Sequence, residues 1–141
     1  MRRDEGSVSV LVLGLVLVLV ALVTVVVDVS AVFIAQRSLS GAADAAAVAA
    51  AGAVDEDAVY RGTAGGATLP LGDVRSAVVE QVTAAGVGQR FPGLAVDAAS
   101  DGTTATVVLA ADVPLPFVGV VAPDASWRVE VTASARSPYG P

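Results

Sequence analysis

The chain has 141 residues, 55% of them hydrophobic but only 4% aromatic, with a formal net charge of -6. It contains no His, Cys or Lys, which removes the usual general base near neutral pH, thiolate and imidazole metal ligands, disulfides and the familiar routes to an activated serine. All eight basic residues are Arg, against fourteen acids, a balance that argues against nucleic-acid binding.

Residues 1–7 form a short polar lead that reads as a cytoplasmic N-terminus. Residues 8–27 then carry no charge, and only Ser9, Gly14 and Thr24 depart from Val, Leu and Ala. A helix over such a run is roughly 30 Å long, the thickness of a bilayer's hydrocarbon core. Val forms helices poorly in water, but in lipid the backbone must satisfy its own hydrogen bonds, so a helix is forced. The run exceeds a signal-peptide core, mixed charges precede it and no Ala-x-Ala site follows. It therefore reads as a retained single-pass anchor in the cell membrane. Arg2 and Arg3 before it, against Arg37 after it, place the N-terminus in the cytoplasm and the remainder outside. Gly14 is a candidate helix-packing position, although a lone glycine makes no GxxxG pair.

The helical pattern continues through an Ala-rich extension over residues 28–53, with no proline. Unbroken, the whole helix would be roughly 70 Å long. Gly41 is the expected weak point, with Ser40 able to cap a fresh helix there. Asp28, at the membrane exit, is expected at the headgroup level, solvated or paired with Arg. Ala42, Ala46 and Ala50, like Ala43, Ala47 and Ala51, recur at four-residue spacing. Either another helix approaches this face closely, or the alanines pack onto the chain's own sheet.

The remainder, residues 54–141, reads as a small extracytoplasmic α+β domain. Asp55, Glu56 and Asp57 open a glycine-rich loop without the spacing of a calcium site, and a solvated loop is expected. Gly62, Gly65 and Gly66 lack the Lys of a phosphate-binding loop. Asp73 reads as the N-cap of a second, amphipathic helix with Val74, Ala77, Val78 and Val82 on one face and Gly86 as its stop. Three strands follow, over residues 94–98, 105–113 and 127–136, the first two joined through Asp101-Gly102. The last alternates most clearly: Trp127, Val129, Val131, Ala133 and Ala135 face one way, Arg128, Glu130, Thr132, Ser134 and Arg136 the other. A small three-stranded antiparallel sheet with a helix on a single side is expected. Residues 114–123, with no charge and three prolines, form an apolar loop around Pro116, Phe117 and Val118. It docks on a partner, dips toward the membrane surface or folds over the sheet edge. No catalytic, cofactor-binding or metal-binding set emerges, and no enzymatic activity is expected.

Gly6-Ser7-Val8-Ser9-Val10 entering an apolar span, Val27-Asp28-Val29-Ser30 closing it, then Gln36-Arg37-Ser38-Leu39 and Ala42-Ala43-Asp44-Ala45-Ala46-Ala47, together resemble the TadE/TadG-like proteins of Flp (tight adherence) pilus systems, in their actinobacterial form. The bias toward Ala, Val, Gly, Asp and Arg fits a GC-rich genome. The resemblance implies a pilin-like or minor pseudopilin component of a Flp/Tad-type pilus or related secretion system. Such a protein acts by helix–helix packing with other pilin-like or secretion-system membrane proteins, as a homo- or hetero-oligomer. It also implies a candidate prepilin-peptidase cut between Gly6 and Ser7. Prepilins usually carry Glu five residues into the mature chain, and here that position is Leu11. The alternative reading is a membrane-anchored binding module of the cell envelope, with the 114–123 loop at its ligand site.

Overall fold

In the computed structural model the described residues are 4–53, 73–101 and 104–136. Helix α1 runs from Asp4–Gly52, 49 residues without a break, about 72 Å at 1.5 Å per residue. Two environments divide it. Residues 8–27 are exposed apart from a half-buried Thr24, and this helix is long and apolar enough to cross a membrane. The hydroxyl of Thr24 donates to the Val20 carbonyl (2.9 Å) and that of Ser30 to the Val26 carbonyl (2.7 Å), so neither asks for water.

Burial begins at Asp28 and continues through Ala35, Leu39, Ala43, Ala46 and Ala50. Steps of three, four and seven keep these positions on one face of a helix. The expected weak point at Gly41 is not a break, since the helix passes straight through it. Leu39 and Ala43 on either side are both fully buried. Packing of that face outweighs the roughly 1 kcal/mol that one glycine costs a helix.

Helix α2 covers Val74–Ala84. Its cap is Asp73, whose carboxylate accepts from the Ser76 amide (3.1 Å) and the Ser76 hydroxyl (2.6 Å). Val74, Val78 and Val82 form its buried stripe, and Ala77 is half-buried beside them. The helix ends as expected before Gly86, which takes the left-handed conformation (φ 63°) that glycine adopts without strain. A single turn, α3 (Val87–Arg90), follows and buries Val87.

Strands β1 (Ala95–Ser100), β2 (Thr104–Pro114) and β3 (Ser126–Arg136) form an antiparallel sheet in the order β1-β2-β3. Val96, Leu109 and Val131 lie opposite one another, as do Ala98, Val107 and Ala133, and these rows face the helices. One hydrophobic core joins α1 from Ala35 to Ala51 with α2 and the sheet. Helix α1 lies along β2 and β3, while α2 packs on α1 and the edge strand β1. Leu39 and Leu109 are the bulkiest fully buried side chains among the described residues, so alanine on α1 is what lets helix and sheet approach closely. The opposite face carries polar residues, with Arg128 and Asp112 paired across strands at 3.8 Å.

Two details differ from expectation. Pro114 ends β2 rather than opening the loop. The pairing of β1 with β2 stops at Ala110, so β2 is an edge where the proline sits and no ladder donor is missed. Trp127, expected on the buried row, is 61% exposed. It lies beyond Val129, the last buried position at this end of β3, although its cross-strand neighbour Val113 is buried.

Between β2 and β3 the chain forms one helical turn, α4 (Val118–Val121). Eleven-residue strands span about 33 Å, as does α1 from Asp28 to Ala50. The sheet therefore flanks the helix along this length, with α4 at the end nearest the apolar segment.

Candidate functional site

Asp28 is the first residue after the uncharged run and is only 5% exposed. Its Oδ1 accepts from the backbone N–H of Phe117 (2.9 Å) and its Oδ2 from that of Val118 (3.1 Å). These are the first amides of α4, whose partners cannot come from within the turn. Phe117 stands at the N-cap position with no side chain able to accept, and the carboxylate of α1 fills that role. The Asp28 end of both bonds is buried, which strengthens them. Asp28 thus differs from expectation: it is neither solvated at the headgroups nor paired with an arginine, but cradles the loop.

The loop is closed by its own backbone. Leu115 N–H donates to the Ala125 carbonyl (3.4 Å), Gly119 N–H to Leu115 (2.8 Å) and Ala122 N–H to Val118 (2.8 Å). The side chains meanwhile face outward: Phe117 and Val118 are about half-exposed, and Val120 and Val121 are 79% and 88% exposed. Beside the Asp28 contact lies an apolar groove of about 440 Å³, lined by Val25, Val29, Val32, Leu115, Val118 and Trp127.

The predicted positions separate into three places. Asp28, Phe117 and Val118 come together, with Pro116 exposed beside them. Gly14 lies on the exposed apolar stretch with open space around it, and Gly6 and Ser7 lie in the first turns of α1. Ala46 and Ala50 are buried in the chain's own core and Ala42 is half-buried. Of the two alternatives for the alanine face, the structure uses packing onto the chain's own sheet. The Asp55–Asp57 run lies outside the described residues, and among those described no three acidic side chains gather at one place. Sequence reasoning missed the capping role of Asp28. Its signal was an acid directly after a bilayer-length apolar run, but its partners are 89 and 90 positions away.

Residues 6–53 match the family model "Putative Flp pilus-assembly TadE/G-like". The TadE/G-like match covers about a third of the chain and ends where α1 ends. It includes Asp28 but not the loop that Asp28 holds, nor α2 or the sheet. No curated protein and no solved structure matches the chain.

Proposed function

We propose that this chain is a membrane-anchored, pilin-like component of a Flp/Tad-type pilus or a related secretion system, with a structural rather than enzymatic role. The observation that carries the reading is the coincidence of the TadE/G-like match with a helix whose residues 8–27 are apolar and, apart from a half-buried Thr24, exposed. Apolar side chains left bare over a bilayer's thickness call for lipid, or like helices within lipid, as their solvent. The arginine bias sets the N-terminus in the cytoplasm and the sheet outside.

The mechanism follows from the division of labour along α1. Its second half is occupied by the chain's own α2 and sheet, so contacts with other pilin-like helices fall to the first half, around Gly14, and to outward residues of the second half such as Val48. Mild detergent extraction followed by cross-linking from Gly14 and Val48 tests this. Recovery of adducts with other single-span pilin-like chains supports it. Recovery of a lone monomer, without adducts, counts against it.

A further inference from the structure

We propose that the loop carrying α4 is a second membrane contact, its tip inserted into the boundary between headgroups and acyl chains beside the anchor. The inference rests on the anchor reading and adds a lipid-binding surface on the folded domain.

Three observations carry it. The first is height. Asp28 follows the apolar run directly and holds the amides of Phe117 and Val118 at 2.9 and 3.1 Å, so the loop is fixed at the level where the helix leaves the bilayer. The second is surface chemistry. No charge occurs over residues 113–123, and Phe117, Val118, Val120 and Val121 are all exposed. Trp127, the sole tryptophan, stands at the same end, and the indole ring, apolar with one polar edge, favours this boundary. The groove between loop and helix runs from Val25, inside the apolar run, to Gln36 beyond it, so its near end is continuous with the lipid-facing helix. The third is the backbone. The amides of Phe117, Val118, Gly119, Val120 and Ala122 all find acceptors within the chain, so these five donors can leave water without being orphaned.

The chain lacks cysteine, so single spin labels can be placed cleanly on the full chain in phosphatidylcholine vesicles. Val121→Cys reports on the tip, Val16→Cys on the anchor and Thr132→Cys on the exposed face of β3. Collisions with oxygen, which concentrates in lipid, are compared with those of a water-soluble nickel chelate. The labels at 16 and 121 are expected to favour oxygen, and the label at 132 to favour nickel. A label at 121 that favours nickel while 16 favours oxygen overturns the loop inference and leaves the anchor standing. A label at 121 shielded from both reagents also overturns it, pointing to a protein partner or a second copy. Nickel dominance at 16 removes the anchor reading itself.

Discussion

Asp28 Oδ1 and the backbone nitrogen of Phe117 are 2.9 Å apart, although 89 positions of sequence separate them. With the companion bond to Val118, this contact fastens the end of the sheet to the helix at the point where its apolar stretch stops. The unbroken α1 and this contact together join the small domain to the end of the apolar stretch.

Removing the carboxylate should release that end. Asp28→Ala leaves two amides without their acceptor and is expected to cost about 2 kcal/mol locally. Hydrogen exchange at Phe117 and Val118 should then accelerate by roughly thirtyfold, with amides in the centre of β2 unaffected. Asp28→Asn retains one acceptor oxygen and should have a smaller effect.

The alanine face separates internal packing from contacts with partners. Ala46 is fully buried against the chain's own core, whereas Ala45 is exposed. Ala46→Leu should lower unfolding stability by about 1–3 kcal/mol through overpacking. Ala45→Leu should stay within about 0.5 kcal/mol. Denaturant titration of both variants in detergent gives the comparison.

Gly41 offers the opposite sign. It is exposed in mid-helix, and a Cβ there would meet nothing within 4 Å. Gly41→Ala should stabilise the folded chain by about 0.5–1 kcal/mol, measured in the same titration.

Much of this architecture is legible locally. Asp73 announces α2, and Gly86 ends it. The alternation from Trp127 to Arg136 gives β3 its inward and outward faces, because each signal lies within a few residues of its effect. Gly41 misleads because local propensity is weaker than the burial of Leu39 and Ala43 around it. Trp127 misleads because alternation fixes a side but not how deeply each position on it is covered: its neighbour Val113 is buried while Trp127 is exposed. The Asp28 cradle is the least legible, since a carboxylate after an apolar run reads equally as a solvated end.

Acid should weaken the start of α2. The hydroxyl of Ser76, and then its amide, hold the Asp73 carboxyl below its ordinary value of 3.8. The folded state thus binds this proton less readily than the unfolded one. The cap's contribution is complete above that ordinary value and fades as pH falls through the lower folded value. Exchange at the Ser76 amide should rise over that acidic window, and Asp73→Ala should abolish the pH dependence while weakening the turn at neutral pH.

Whether lipid surrounds residues 8–27 is tested most directly by alkaline carbonate extraction of membranes from cells producing the 141-residue chain. Retention in the membrane pellet is the expected result. Release into the supernatant, as a soluble and monodisperse species without detergent, would contradict it.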